Sequence, residues 1–342
     1  MSISLKKQGI LLSALLSFAL LAACGTSNNA SPEQTGSASG QSPSPAASAS
    51  VPATKTVTHA MGSTEITGTP KRIVVLEWTY AEDLIALGIQ PVGAADTAGY
   101  KKWITTNAAL GNDVVDVGTR QEPNLEAIAA LKPDLIIAAQ FRVTGSYDKL
   151  KQIAPTLAFN SYPAEGTMDQ YTEMENTFKT IADLTGKSAE AEKVLQGLNQ
   201  AYDAAKTKLK AAGKEGREFA LAQAYSNQNA AVLRIFTDNS TAVKILERIG
   251  LKNAYHAPKF EMYGYTQTSV EALLPLEKAD FLYVVQKEDN VFEKQLKDNA
   301  AWKGLSFVKE NRTYGLDPAT WLFGGPLSAK AFVEQTAELL AK

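Results

Sequence analysis

The sequence Asn124-Leu-Glu-Ala-Ile-Ala-Ala-Leu-Lys-Pro-Asp-Leu-Ile-Ile137 recurs in outline later in the chain. It begins with a helix N-cap residue, has a glutamate at the second helical position, and ends in an apolar strand that an aspartate opens. The second copy runs from Ser269-Val-Glu-Ala-Leu273 through a helix to Ala279-Asp-Phe-Leu-Tyr-Val284. The repeated helix and strand predict two related α/β halves.

A second pair of segments repeats in the same order. Arg72-Ile-Val-Val-Leu76 is an unbroken apolar run, typical of a strand covered on both faces. The helix after it opens with Thr79 and Glu82, which have the spacing of a capping box. Ala231-Val-Leu-Arg-Ile-Phe236 is the corresponding strand of the second half. Because alternating strands and helices imply crossover connections, we predict two Rossmann-like α/β lobes with mainly parallel sheets.

The region between the two halves has no strand signal. Apolar residues at helical spacing occupy 168–185, and the pattern continues over 187–212. A helix of about 20 residues spans ~30 Å, so we predict one long α-helix that joins the lobes and leaves a ligand cleft between them. The predicted domains are an N-terminal lobe at 55–166, a bridging helix at 167–190 and a C-terminal lobe at 191–342.

The first residues have the pattern of a bacterial lipoprotein leader. Lys6 and Lys7 precede an apolar stretch too short to span a membrane, and Cys24 follows small residues as in a lipobox. We predict a signal peptide at 1–23 and lipidation of Cys24, because the alternative, a buried core cysteine, has no core around it. A Ser/Ala/Pro-rich chain cannot bury enough apolar surface to fold, so 24–54 is predicted to be a flexible tether. The protein is expected to be lipid-anchored at the extracytoplasmic face of the cell membrane, with a Gram-positive surface favoured over a periplasm.

Composition excludes several functional classes. The chain has 34 basic and 36 acidic residues and no basic stripe, so we expect no nucleic-acid partner. It has no nucleophile elbow, Walker loop or dinucleotide fingerprint, and His59 and His256 lack metal-ligand spacing. We therefore expect a monomer that is not an enzyme, has no cofactor and supplies no direct metal ligand.

Polar and aromatic residues in the loops around the predicted strands are the candidates for ligand contacts. A guanidinium group binds carboxylates bidentately, and tryptophan and tyrosine add flat apolar walls with a polar edge. Such a set suits a bulky anionic ligand, such as a metal chelate of carboxylates or hydroxamates. The predicted ligand-binding residues are Trp78, Tyr80, Arg120, Arg142, Arg234, Tyr263, Trp321 and Phe323.

For four further residues, a structural role is the alternative to a functional one. Arg234 lies inside an apolar strand, where a salt bridge within its own lobe is the alternative, and Glu77 is interpreted as structural rather than as a ligand contact. Glu126 and Glu271 occupy the same place in each repeat. The helix dipole accounts for one such glutamate, but a matched pair suggests a surface that docks onto cations of a twofold partner.

Several segments resemble the substrate-binding lipoproteins of iron–siderophore, haem and cobalamin ABC importers. They are Pro70-Lys-Arg-Ile-Val-Val75, Leu87-Gly-Ile-Gln-Pro-Val-Gly93, Val117-Gly118 and the 124–137 segment. The resemblance covers the whole chain after the tether. It implies two α/β lobes bridged by a single long helix, limited hinge motion, and paired glutamates that engage arginines on the two permease subunits. By motif, Glu126 and Glu271 match those glutamates.

Within that family, Leu76-Glu-Trp-Thr-Tyr80 together with Val117-Gly-Thr-Arg120 is most similar to the ferric-citrate and citrate-hydroxamate binders. The resemblance implies capture of such an Fe(III)-siderophore, with iron held by the chelator, and its delivery to an ABC permease dimer for iron uptake. Haem or cobalamin is the alternative cargo, and for haem Tyr80, Tyr263 or Tyr265 would serve as the axial ligand. A chelatase-like enzyme is a remote alternative, since the mature chain lacks a second cysteine and paired histidines.

Overall fold

The structure is a computed structural model that describes residues 53–342 except 105 and 107. The predicted signal peptide at 1–23, the lipidation site Cys24 and the tether as far as residue 52 lie outside the described residues. The folded body begins with a strand at Thr54, one residue from the predicted boundary. Within the described residues, none of the helices is long and apolar enough to cross a membrane.

The first lobe contains a parallel sheet with helices on both faces. Its strands are β1 (Thr54–His59), β2 (Gly62–Thr67), β3 (Ile73–Val75), β4 (Gly93–Ala94), β5 (Val115–Asp116), β6 (Leu135–Ala139) and β7 (Thr156–Phe159). Its helices are α1 (Trp78–Ala86), α2 (Thr97–Trp103), α3 (Leu125–Ala130), α4 (Gln140–Val143) and α5 (Tyr147–Ile153). The order β5-β4-β3-β6-β7 is parallel at every step, whereas β1 and β2 form a separate antiparallel ribbon.

The central strand β3 explains why both faces of this sheet are buried. Ile73 and Val75 point into one hydrophobic cluster, and Val74 and Leu76 point into the cluster on the opposite face. Side chains alternate across a strand, so an unbroken apolar run is what a doubly covered strand requires. The predicted strand at 72–76 and the predicted α/β class are confirmed.

The second lobe has a mixed sheet. Its strands are β8 (Glu218–Asn227), β9 (Ala230–Phe236), β10 (Lys252–Asn253), β11 (Tyr265–Thr268), β12 (Asp280–Val285) and β13 (Thr313–Gly315). The helices that follow α5 in the chain are α6 (Gln170–Leu184), α7 (Ser188–Ala211), α8 (Thr241–Arg248), α9 (Ala300–Gly304), α10 (Ser306–Lys309) and α11 (Pro326–Leu340). Short 3-10 helices cover Val270–Leu276 and Lys287–Asp289.

The sheet of this lobe is mixed, with three parallel and two antiparallel strand pairings. In the order β11-β9-β8-β12-β13, β12 is parallel to β8 and β13, but β9 is antiparallel to β8 and β11. The turn between β8 and β9 is centred on Gln228 and Asn229, which both have positive φ, at 48° and 64°. A two-residue turn of this kind returns the chain alongside itself, so β9 forms a hairpin with β8 and is not the topological counterpart of β3.

The repeated helix–strand unit is preserved with one change. The segment after Ser269 forms a 3-10 helix rather than an α-helix, and Pro275 lies inside it. Proline lacks the N–H that an α-helical turn requires, which accounts for the tighter helix. The strands that end the two repeats, β6 and β12, are each buried within a parallel part of their sheet.

The predicted bridging helix at 167–190 is divided in two. α6 ends at Thr185, Gly186 adopts a left-handed φ of 69°, and the 24-residue α7 begins at Ser188. Both helices pack against both lobes. Tyr171 of α6 lies in the core of the second lobe and Phe178 in that of the first. In α7 the order is reversed: Ala191 lies in the core of the first lobe and Leu198 in that of the second. The long helix of the fold is α7, about 36 Å in length.

Helix α1 of the first lobe also contacts the second lobe directly. Glu82, which is fully buried, accepts hydrogen bonds from the Ser328 backbone N–H at 2.8 Å and from its hydroxyl at 2.5 Å, near the start of α11. Thr79 donates to the Phe323 carbonyl at 2.8 Å. The predicted capping box of Thr79 and Glu82 is therefore wrong: the N-cap of α1 is Glu77, and both side chains bind across the lobes.

Candidate functional site

A cavity of about 370 Å³ lies between the lobes, with walls formed by both lobes and by α6. Its position follows from the parallel sheet, because the carboxyl ends of β3, β5 and β6 meet at one edge and the loops after them converge there. The charged and aromatic residues on its walls include Glu77, Arg120, Arg142, Glu173, Arg234 and Trp321.

Glu77 forms the centre of the site. It follows β3 directly, adopts an extended conformation as the N-cap of α1, and accepts a hydrogen bond from the Trp78 backbone N–H at 3.0 Å. Its side chain is only 9% exposed. An acidic side chain is stabilised at a helix N-terminus by the unpaired N–H groups and the helix dipole.

Two arginines share this one carboxylate. Arg120 Nη1 lies 2.7 Å from Glu77 Oε1, and Arg142 donates from Nε to Glu77 Oε2. Arg120 comes from the loop after β5 and Arg142 from α4, directly after β6. Glu77 thus holds two guanidinium groups at the cavity, with one net positive charge among the three residues.

The ring of Trp78 packs against the guanidinium group of Arg120. The guanidinium carbon of Arg120 lies 3.5 Å from the centroid of the Trp78 ring, within cation–π range. The Trp78 indole N–H donates to the Asp96 carbonyl at 3.1 Å, and the residue is only 3% exposed. Trp78 is therefore not among the residues that line the cavity, in contrast to the prediction that it contacts the ligand. Trp321, in the other lobe, does line the cavity, 5.0 Å from Trp78 between ring centroids.

Arg234 supplies positive charge from the opposite lobe. It lies on β9 between the rings of Tyr225 and Tyr265, with its guanidinium carbon 4.9 Å and 4.8 Å from their centroids. Its Nη1 donates to Gln223 Oε1 at 3.1 Å. Among the described residues no carboxylate forms an ion pair with Arg234, so the structure does not support the alternative of a salt bridge within its lobe.

Aromatic rings complete the walls. Tyr263 reaches across to Tyr162 of the first lobe, with 5.0 Å between ring centroids, and Phe323 packs against Trp321 at 5.3 Å. Tyr80 also lines the cavity, but it is only 1% exposed and its hydroxyl is 3.0 Å from the Ser161 hydroxyl. Burial raises the pKa of Tyr80 well above its ordinary value, which opposes the phenolate form that a metal ligand requires.

Sequence reasoning missed two acidic residues on the cavity wall. Asp83 belongs to α1 and Glu173 to α6. Burial raises the pKa of Glu173 to about 7, although the hydrogen bond from Thr177 acts to lower it. Burial also raises the pKa of Asp83 well above its usual range. Helical periodicity identified the buried faces of these helices but gave no sign that polar residues on those faces border a cavity.

Tyr162 and Gln170 line the cavity and were also missed. Tyr162 lies three residues after the end of β7. The rule that selected Arg142 would have selected Tyr162 if the short strand at Thr156–Phe159 had been recognised.

The two glutamates of the repeats lie away from the cavity, one in each lobe. Glu126 is the second residue of α3 and Glu271 the second residue of the 3-10 helix at Val270–Leu276, and both are exposed. The Ser269 hydroxyl donates to Glu271 at 2.5 Å and lowers the pKa of its carboxyl. Both positions leave a carboxylate accessible to a partner surface.

Comparison with known proteins shows which family this chain is related to. A model of the family described as periplasmic binding protein matches residues 73–320. The chain belongs to this family. The periplasmic binding proteins to which it is similar include the Fe(3+)-citrate-binding protein YfmC of Bacillus subtilis, 34% identical over 76% of this chain and 77% of that protein. The iron(3+)-hydroxamate-binding protein FhuD of Escherichia coli is 31% identical over 77% of this chain and 85% of that protein.

Solved structures of the family agree with the two-lobed architecture. The crystal structure of the Fe3+–Desferal-bound siderophore-binding protein FhuD from Vibrio cholerae has a TM-score of 0.71 and 31% identity, and covers 79% of this chain and 98% of that one. Staphylococcus aureus SirA complexed with staphyloferrin B has a TM-score of 0.66 and 28% identity, and covers 84% of this chain and 98% of that one.

Proposed function

We propose that this periplasmic binding protein captures an Fe(III)-siderophore of the ferric citrate or citrate-hydroxamate type and delivers it to an ABC permease for iron uptake. The observation that carries the proposal is the Arg120–Glu77–Arg142 cluster, which faces Arg234 across a cavity lined by aromatic rings. Guanidinium groups bind carboxylate and hydroxamate oxygens, and the rings cover the apolar parts of a chelate. Relatives named for Fe(3+) citrate and Fe(3+) hydroxamates support the same class of cargo.

The iron in this proposal is cargo that the chelator holds, and the protein acts without catalysis. Within the described residues there is no group of three or more His, Cys, Asp and Glu side chains arranged to hold a metal ion. The cavity instead offers donors that recognise oxygen atoms, since arginine is a donor only. Recognition of the outer oxygens of a chelate is the chemistry that fits this set of side chains.

The proposed cargo is tested by tryptophan fluorescence with ferric citrate, ferric hydroxamates, ferric catecholates, haem and cobalamin. Trp321 lines the cavity and Trp78 lies beneath Arg120, so a bound chromophoric iron chelate is expected to quench their emission. We expect the tightest binding with ferric citrate or a citrate-hydroxamate. A Soret band on haem addition, without quenching by any ferric chelate, would show instead that the cargo is haem.

The proposal extends to the membrane. The lipobox-like sequence before Cys24 supports a lipid anchor on the outer side of the cytoplasmic membrane, with a Gram-positive cell surface as the setting. Two relatives named as lipoproteins of Bacillus subtilis, YhfQ and YfiY, support this proposal. In this setting the tether keeps the binding protein close to its permease.

Glu126 and Glu271 are proposed to dock onto arginines of the two permease subunits. Replacing both by arginine is expected to leave ferric chelate binding unchanged, because both are exposed and outside the cavity, but to reduce uptake of radioactive iron at least tenfold. Reversing charge at a contact replaces attraction by repulsion, which costs several kcal/mol per contact at an interface. Glu192→Arg, at another exposed position on α7, is the control and should preserve uptake. Loss of chelate binding in the double variant would show that these residues act on the cavity instead.

A further inference from the structure

The cavity has an acidic wall, formed by Asp83 and Glu173, that the proposed recognition of an anionic chelate does not use. Asp83 is only 1% exposed, and neither of its carboxylate oxygens has a hydrogen-bond partner among the described residues. A buried polar group without a partner costs free energy, so its presence beside a cavity calls for an explanation.

Glu173 is the member of the acidic wall that a ligand can reach. It is partly exposed to the cavity, and it accepts one hydrogen bond, from the Thr177 hydroxyl at 2.7 Å. In the described part of the chain, neither Glu173 nor Asp83 forms an ion pair with a lysine, arginine or histidine. The acidic wall therefore lacks a cation that the protein itself supplies.

The acidic wall and the arginines come from different elements around the cavity. Glu77, which holds Arg120 and Arg142, caps the N-terminus of α1, and Asp83 follows six residues later on the same helix. Six residues of α-helix rise ~9 Å, so Glu77 and Asp83 are offset along α1 by about that length.

We propose that the acidic wall is a subsite for a protonated primary amine carried by the ferric chelate. The inference rests on the proposed function and adds to it a chemical class: chelates that have both oxygen donors and an ammonium group. Glu173 would accept the N–H groups of the ammonium directly. The bound positive charge would in turn favour ionisation of Asp83 behind it, whose pKa burial raises. Among the residues that the structure describes, no third ligand joins the two carboxyls to hold a metal ion, which favours an organic cation.

Protonation of Glu173 links this subsite to pH. Because the pKa of Glu173 is raised to about 7 by burial, its carboxylate is available at little cost near neutral pH, and an ammonium that binds there displaces the remaining proton. The other charged and titratable groups that face the acidic wall or line the cavity are Glu77, Tyr80, Glu82, Arg120, Arg142, Tyr162, Arg234, Tyr263 and Tyr265.

The test compares two ferric complexes that differ in one charge. Fe3+–Desferal ends in a free primary amine, and its N-acetyl derivative has the same iron-binding groups without that amine. At pH 8 we expect the free amine to bind about tenfold or more tightly, since a hydrogen bond to a charged group is lost on acetylation, and we expect the preference to shrink as the pH falls to 5.5. Titration calorimetry at pH 7 in two buffers of different ionisation enthalpy should show proton release, of about half a proton from Glu173, only for the free amine.

Variants identify the residues that carry the preference. Glu173→Gln retains the size of the side chain and the acceptor for Thr177 but removes the charge, so it should abolish the preference for the free amine. Asp83→Asn should reduce the preference. Glu192→Gln, exposed on α7, is the matched control and should retain it.

Three outcomes would overturn the subsite. They are equal affinity of wild type for the two complexes, a preference that survives in Glu173→Gln, and rejection of both complexes by a protein that binds ferric citrate. In each case the proposed function would stand, because ferric chelates would still bind. If no ferric chelate binds at all, the proposed function fails and the subsite fails with it.

Discussion

Replacing Arg142 by glutamate is expected to weaken the binding of ferric citrate about 100-fold or more. Arg142 pairs with Glu77 through Nε, which leaves its terminal nitrogens for the ligand. A hydrogen bond to a charged group contributes ~1.5–3 kcal/mol, and each ~1.4 kcal/mol changes the dissociation constant tenfold. The new glutamate would also place a second carboxylate beside Glu77, so loss of attraction and gain of repulsion act in the same direction. The dissociation constant is measured by quenching of tryptophan fluorescence.

The control for this charge reversal is Lys149→Glu. Lys149 is in the same lobe, on α5, and is exposed and outside the cavity. Its reversal changes the net charge of the protein by the same amount and should leave the affinity within about twofold, because exposed charges are screened over ~8–10 Å. If Lys149→Glu weakens binding as much as Arg142→Glu does, the effect is one of net charge and the assignment of Arg142 is wrong.

Replacing Glu77 by alanine is expected to destabilise the protein by about 3–5 kcal/mol. The side chains of Arg120 and Arg142 are 14% and 17% exposed, and Glu77 is the carboxylate they share. Removing one partner of a buried ion pair leaves an uncompensated charge. Here Arg142 loses its carboxylate, and Arg120 keeps only the longer pair with Asp96, at 3.6 Å. The free energy of unfolding is measured by urea denaturation at constant pH and salt.

The second part of this experiment adds ferric citrate. Its carboxylates can take the place of the missing anion, so the ligand should stabilise Glu77→Ala more than ligand linkage predicts from the wild-type affinity. Asp183→Ala, which removes an exposed pair with Lys55 whose side chains are 45% and 63% exposed, should cost less than about 1 kcal/mol. A similarly small cost for Glu77→Ala would show that the two arginines do not depend on it.

The repeated helix and strand were sufficient to predict a two-lobed α/β fold because each copy contains a strong local signal. β6 is an unbroken apolar strand at Leu135–Ala139, and its position fixed the location of Arg142. The direction of β9 was not predictable in this way. It depends on Gln228 and Asn229, which turn the chain without a glycine, so the sequence lacks the usual hairpin signal.

The cavity wall was predictable where a side chain comes shortly after a strand and unpredictable where it lies well inside a helix. Arg120 and Arg142 follow β5 and β6, whose carboxyl ends must meet at one edge of a parallel sheet. Asp83 and Glu173 are on helices whose neighbours are set by the packing of two lobes, and that packing involves residues far apart in sequence. The position of Trp78 outside the cavity was not predictable for the same reason, since only the tertiary structure shows that Arg120 covers its ring.

The contact between Glu82 and the start of α11 has a consequence for transport. Gly325 approaches α1 so closely that a Cβ atom there would lie 2.5 Å from Asp83 Oδ1, and Glu82 is fully buried against Ser328. Wide separation of the halves would break this contact and both hydrogen bonds from Ser328, at a cost of about 0.5–3 kcal/mol per hydrogen bond. The contact favours entry and exit of cargo by small rearrangements at the rim. In the proposed transport cycle, the permease would then meet a loaded receptor whose outline is nearly that of an empty one.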